Sequence, residues 1–112
     1  MSAGLQKIVL AAALAALPLA GLAAGNAASG KAKAAQVCAA CHGADGSKPS
    51  APDQPVLAGQ YEDYLVRALT DYKSGKRQNP IMKGFAEQLS KQDMEDLAAW
   101  FSSQSTSLHN QR

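Results

Sequence analysis

Both cysteines of this 112-residue chain lie in one five-residue segment, Cys38-Ala39-Ala40-Cys41-His42. The two thiols are three positions apart, so on a helix they share a face, and an imidazole follows directly. Two cysteines so close in sequence close a loop too short to stabilise a fold as a disulfide. The segment therefore indicates chemistry at one small site and not a disulfide framework.

The order C-x-x-C-H is typical of a c-type haem attachment site. Both thiols can bond the vinyl groups of one planar macrocycle while the imidazole is brought under its iron. A redox pair of thiols would need a reactive thiolate and usually a βαβ context, which the sequence lacks. A structural zinc site needs four ligands, and the only other histidine is His109. We predict one covalently bound haem c (iron), with Cys38 and Cys41 as thioethers and His42 as an axial ligand.

The chain has few large apolar side chains from which to build a core. From Gly25 onward 34 of 88 residues are apolar, and 14 of these are alanine. A region of this size buries only about 60% of its surface and is marginally stable. We therefore expect something other than side chains to complete the interior, and a covalently attached macrocycle meets that need.

Residues 1–25 have the order of a secretory signal peptide: Lys7, an apolar run over 8–17, then Pro18 and small residues. We expect cleavage between residues 23 and 27 and export of the mature chain. The alternative is an uncleaved membrane anchor. Without Lys7 the chain has 10 basic and 9 acidic residues, and this near-neutral balance does not suggest nucleic acid as a partner.

No segment alternates apolar and polar residues over the length of a strand, whereas three segments have helical periodicity. The first is expected to start at Ser29 as N-cap and to run into the cysteine motif. The second covers 61–72 and ends at Gly75. The third starts at Ser90, with Asp93 completing a capping box, and its apolar stripe is Met94, Leu97, Ala98 and Phe101. Residues 43–59 and 75–89 are predicted to be ordered loops in an all-α fold.

The sixth ligand of a haem iron has three candidates outside the leader: Met82, Met94 and His109. Met94 lies on the apolar stripe of the last helix, where methionine usually fills a core. His109 lies in a polar tail without an apolar pattern. Met82 follows Pro80 in a predicted loop, where no helix buries its side chain, and we predict that it is the ligand.

These features together resemble those of class I c-type cytochromes, in particular small soluble monohaem proteins of the bacterial periplasm and single halves of their dihaem relatives. The resemblance rests on residues 38–43, the segment 55–61, the segment 80–82 and the closing helix 89–101. It implies three main helices and ordered loops wrapped around one haem over 26–104, followed by a polar tail over 105–112. The sequence differs from the family pattern at Trp100, where relatives often have tyrosine.

The resemblance also implies particular contacts. Pro55 would offer its carbonyl oxygen to the free ring nitrogen of His42. The first and last helices would cross, with Gly30 allowing close approach near Leu97 and Phe101. The expected lining of the haem pocket consists of Leu57, Tyr64, Leu65, Leu69, Phe85 and Leu97.

Iron held by both His42 and Met82 has no open position, which favours electron transfer over oxygen chemistry. We therefore expect a periplasmic one-electron carrier that is not an enzyme and takes no small-molecule substrate. Its partners would be redox proteins: a dehydrogenase or membrane complex as donor, and a terminal oxidase or reductase as acceptor. The alternative is a haem-bearing subunit or membrane-tethered partner of one redox enzyme complex.

Four basic residues, Lys73, Lys76, Arg77 and Lys83, lie in an acid-free segment around Met82. One hypothesis is a basic collar, formed by these four residues, that steers the protein toward an acidic partner. The simpler interpretation is a solvated face.

Overall fold

The computed structural model describes residues 25–106, together with Gly4, Val9 and residues 11–13. Residues 25–106 form five helices and no strand: α1 (Ala27–Val37), α2 (Ala39–His42), α3 (Glu62–Ser74), α4 (Pro80–Ala86) and α5 (Lys91–Ser102). The all-α prediction is confirmed. No helix of this described part is long and apolar enough to cross a membrane. Most of the predicted leader, and the tail from residue 107 with His109, lie outside the described residues.

The ends of the long helices follow from their capping residues. The Ser90 side chain accepts a hydrogen bond from the Asp93 N–H while the Asp93 carboxylate accepts one from the Ser90 N–H, so the predicted capping box is confirmed. Gly75 ends α3 in the left-handed region at φ 83°, as expected. The predicted start of α1 is wrong: its N-cap is Asn26, and Ser29 donates its backbone N–H to the Asn26 side chain.

The prediction of a continuous loop over 75–89 is also wrong, because α4 occupies Pro80–Ala86. The Asn79 side chain caps this helix by accepting the N–H groups of Ile81 and Met82, each at 3.0 Å. Pro80 occupies the first turn, where its missing N–H costs nothing and its fixed φ suits a helix. Asn79 and Pro80, which are typical of loops, therefore start a helix here.

The first and last helices cross at a glycine. A Cβ on Gly30 would lie 1.9 Å from the Asp96 carbonyl oxygen and 2.9 Å from the Trp100 Cβ. The predicted close approach at Gly30 is present, and its nearest atoms belong to Asp96 and Trp100, not to Leu97 and Phe101. The buried Asp96 carboxylate accepts the Asn26 N–H at 2.7 Å and so ties the start of α1 to α5.

The buried apolar cluster joins α1, α3 and α5, and its members are Ala34, Leu65, Leu89, Met94, Leu97, Ala98 and Phe101. The predicted apolar stripe of α5 is therefore buried as expected. Among the described residues, Leu97 is the largest side chain that is completely buried. The α3 helix packs on α5 and α4 packs on α3, so the loop 43–61 and α4 face each other across the remaining space.

Candidate haem site

A cavity of 390 Å³ lies between α2, α3, α4 and the loop 43–61. Its lining includes every residue that the sequence predicts for the site: Cys38, Cys41, His42, Pro55 and Met82. Five of the six expected apolar lining residues also border it, namely Leu57, Tyr64, Leu65, Leu69 and Phe85. The prediction for Leu97 is wrong, because this side chain packs into the cluster behind the cavity.

The two cysteines lie at a break between helices. Cys38 ends α1 and begins α2, its N–H donating to the Ala34 carbonyl and its carbonyl accepting the His42 N–H at 3.0 Å. This break still leaves both cysteines lining the cavity, although one continuous helix was expected. Burial, and secondarily the nearby Cys41, raise the pKa of the Cys38 thiol to about 11. At neutral pH this thiol is protonated, so Cys38 itself is not a reactive thiolate.

His42 is buried, and its ring is held by one hydrogen bond. Its Nδ1 lies 2.9 Å from the carbonyl oxygen of Pro55, the contact that the resemblance implied. A carbonyl oxygen can only accept, so the Nδ1 carries the proton and donates it. In a neutral ring with this tautomer Nε2 has the lone pair, which is the form of histidine that can bind a metal.

Of the methionine candidates, Met82 lines the cavity and Met94 does not. Met94 is buried in the cluster between α3 and α5, and its sulfur lies 3.8 Å from the Thr70 hydroxyl. Met82 is half-buried in the first turn of α4, where the Asn79 cap holds its backbone. The premise that no helix contains Met82 is wrong, but the capped helix places it at the cavity.

The chemistry of the cavity lining fits a haem. Several large apolar side chains at its edge are left exposed, including Ile81 at 69% and Phe85 at 41%. Large apolar side chains are ordinarily buried in a folded protein. On this side of the domain, the protein's own residues do not cover them. No group of three or more His, Cys, Asp and Glu within the described ranges could hold a bare metal ion. The cavity lining is mostly apolar and includes two thiols and one imidazole, so it suits an apolar macrocycle that brings its own iron ligands.

The four residues of the basic collar have different surroundings. Lys73 donates a hydrogen bond to the Leu89 carbonyl, and Lys83 forms an ion pair with Glu87 at 3.2 Å. Arg77 borders the cavity, together with polar residues that were not predicted for the site, among them Gln60, Tyr72 and Asn79. The sequence around them does not show that these side chains reach the cavity, so the fold was needed to identify them.

Comparisons with known proteins agree with this geometry. The family model described as cytochrome c matches residues 27–105. Cytochrome c4 of Pseudomonas aeruginosa is 55% identical over 94 residues, which are 82% of this chain and 46% of that protein. Cytochrome c-554(548) of Halomonas halodenitrificans is 42% identical over 84 residues, covering 72% of this chain and 99% of that protein.

The fold has a solved counterpart as well. The crystal structure of reduced recombinant cytochrome c4 from Pseudomonas stutzeri is similar with a TM-score of 0.68 and 46% identity, over 76% of this chain and 48% of that one. This chain thus spans about half the length of the cytochrome c4 relatives that it matches. The chain belongs to the cytochrome c family, and its cofactor is a covalently bound haem c.

Proposed function

We propose that the chain is a one-electron carrier and not a catalyst. The observation that supports this most is the single cavity lining shared by Cys38, Cys41, His42 and Met82. Haem c, when bound, supplies an iron that changes between the ferric and ferrous states. Cys38 and Cys41 would hold the macrocycle through thioether bonds, while His42 and Met82 would bind its iron.

The protein's own residues perform three tasks in this proposal. The Pro55 carbonyl fixes the ring of His42 and its tautomer, and so leaves Nε2 as the nitrogen that would bind the iron. The Asn79 cap restrains the first turn of α4 and with it the backbone of Met82. Apolar residues such as Leu65 and Leu69 exclude water, which favours the less charged ferrous state.

With both His42 and Met82 bound to the iron, no position would remain for oxygen or a substrate, which is why a carrier is favoured over an oxygen-binding protein. Its partners would be redox proteins, a dehydrogenase or membrane complex as donor and a terminal oxidase or reductase as acceptor. The periplasm is the proposed location, with the leader removed. The second candidate is a haem subunit tethered to one redox enzyme by a retained leader, and the intact mass of the native protein distinguishes the two.

The ligand assignment is tested by optical and magnetic spectroscopy of the holoprotein and its Met82→Ala variant. We expect the methionine-to-ferric-iron charge-transfer band to disappear and the ferrous form to bind carbon monoxide. Met94→Leu is the matched control, because Met94 is buried away from the cavity and should leave the band intact. A band that survives Met82→Ala, or disappears in Met94→Leu, would show that the assignment is wrong.

A further inference from the structure

The carbonyl of Pro55 is held in place by residues other than Pro55 itself. Proline has no backbone N–H, so Pro55 donates no hydrogen bond that would fix its own peptide plane. Its side chain is exposed, so burial does not hold it either. Its carbonyl oxygen nevertheless lies 2.9 Å from Nδ1 of His42. The position of this oxygen therefore depends on the neighbouring residues of the loop.

Gln54, the preceding residue, is held at several points. Its side-chain oxygen Oε1 accepts the backbone N–H groups of Ser50 and Ala51, each at 3.0 Å, and the Ser50 hydroxyl at 2.8 Å. A backbone N–H can only donate, which fixes the amide with its oxygen toward these groups. The Gln54 backbone N–H donates to the Ala51 carbonyl at 3.1 Å and closes a turn. Pro52 is the second residue of this turn, a position that proline favours.

Ser50 connects this turn to the cysteine motif. Its backbone N–H donates to the Cys41 carbonyl oxygen at 2.9 Å as well as to Gln54. Cys41 directly precedes His42. On the other side of the contact, Gln54 directly precedes Pro55. The two segments are therefore joined twice, at the imidazole and, one position earlier in each segment, through Ser50.

The amide of Gln54 stands at the cavity, where an apolar side chain would suit an apolar cofactor. Gln54 lines the cavity and is half-buried. An apolar side chain here would remove the acceptor of the Ala51 N–H and one of the two acceptors of the Ser50 N–H. The oxygen of this amide is thus used within the loop.

We infer that Gln54 is a positioning residue for the axial histidine, because its amide oxygen holds the turn that presents the Pro55 carbonyl to His42. This inference rests on the proposed function, since the orientation of the ring matters once Nε2 binds the iron. Without the amide the haem should stay attached, because Cys38 and Cys41 hold it. The turn should open more often, and the Nδ1 proton should then exchange faster with solvent.

The test measures solvent exchange of the His42 Nδ1 proton by nitrogen-15 NMR of the reduced holoprotein. Gln54→Met keeps the length of the side chain and removes its acceptor, whereas Gln54→Glu keeps an oxygen that can accept the same hydrogen bonds. Gln88→Met is the matched control. Gln88 is exposed and outside the cavity lining, and its amide donates to the Gly84 carbonyl at 3.4 Å. The backbone amides of α1 and α5 report any general loosening of the fold.

We expect Gln54→Met to speed exchange of the ring proton about tenfold, as the loss of a hydrogen-bonded link in the loop predicts. Gln54→Glu and Gln88→Met should stay close to the wild-type rate. The amides of α1 and α5 should change much less than the ring proton in every variant. The inference would be overturned by an unchanged ring proton in Gln54→Met, by acceleration equal to that of the α1 and α5 amides, or by equally fast exchange in Gln54→Glu.

A second variant decides the matter if Gln54→Met does not fold. Gln54→Asn keeps an amide but shortens the side chain by one methylene, which withdraws the oxygen from its donors. We expect the same faster exchange of the ring proton, and a wild-type rate in the folded variant would overturn the inference. Absence of covalent haem from the wild-type protein, by intact mass, would instead refute the proposed function.

Discussion

The two sides of this domain are stabilised in different ways. Where α1 crosses α5, backbone packs on backbone at Gly30, and the Asp96 carboxylate ties the two helices together. Across the molecule, α4 contributes Ala86 to the buried residues and leaves Ile81 and Phe85 exposed beside the cavity. The first side is closed by the chain itself, and the second needs the haem to close it. The small number of large apolar side chains is therefore sufficient to build only one half of the core.

Removing the haem should have the largest effect. The double variant Cys38→Ser, Cys41→Ser cannot form thioethers, so the cavity side would lose its largest apolar group. We expect the chain to lose its cooperative thermal transition, since so small a domain has little stability to spare. Circular dichroism during heating, beside the holoprotein, measures this. A cooperative transition at the holoprotein's temperature would show that the side chains alone suffice.

A methyl group at the crossing should have the next largest effect. Gly30→Ala places a Cβ against the Asp96 carbonyl and forces α1 away from α5, at a cost of about 3 kcal/mol in the free energy of unfolding. The haem spectrum should stay unchanged because the crossing lies away from the cavity. Denaturant unfolding of the holoprotein gives the free energy.

The control for that variant is the same substitution in α4. A Cβ on Gly84 meets nothing within 4 Å, so Gly84→Ala should stabilise the protein by about 0.5 to 1 kcal/mol. If the two alanine variants had equal stability, the close packing at the crossing would not be what stabilises the first side.

The capping box of α5 gives the smallest effect, and one that depends on pH. The Ser90 backbone N–H, more than the other contacts of Asp93, lowers the pKa of this carboxyl below its ordinary 3.8. The folded state thus favours the carboxylate, so its contribution is complete above pH 3.8 and is lost as the pH falls through the folded value. At neutral pH Asp93→Asn should cost less than about 1 kcal/mol, since the group is partly exposed.

Denaturant unfolding of wild type and Asp93→Asn at a series of pH values checks this prediction. The difference between the two proteins should shrink toward acid. A difference that stays constant down to full protonation would contradict the role of the charge.

The sequence predicts the parts of this molecule that depend on local chemistry. The haem motif, the Ser90 capping box and the end of α3 at Gly75 are each set by neighbouring residues, and the family assignment agrees with them. The short helix α4 was missed because Pro80 and Gly84 suggest a loop, although Asn79 followed by proline is a good helix start.

Other features depend on how distant segments meet. Whether a lysine or arginine faces solvent or the cavity depends on the turn between α3 and α4, so Arg77 could not be separated from Lys76 by sequence. Likewise, the register of the crossing decides that Gly30 meets Asp96 and Trp100. The assignment of Leu97 to the pocket failed for the same reason, since its side chain is buried in the cluster that joins α1, α3 and α5 and does not line the cavity.

The most direct test of the difference between the two sides is hydrogen exchange of the holoprotein and the cysteine-free apoprotein, followed by mass spectrometry of peptides. Protection in Pro80–Ala86 should fall to that of an unfolded chain without haem, while Ala27–Val37 and Lys91–Ser102 lose less. Equal protection of Pro80–Ala86 in the two forms would contradict the claim that the haem closes this side of the domain.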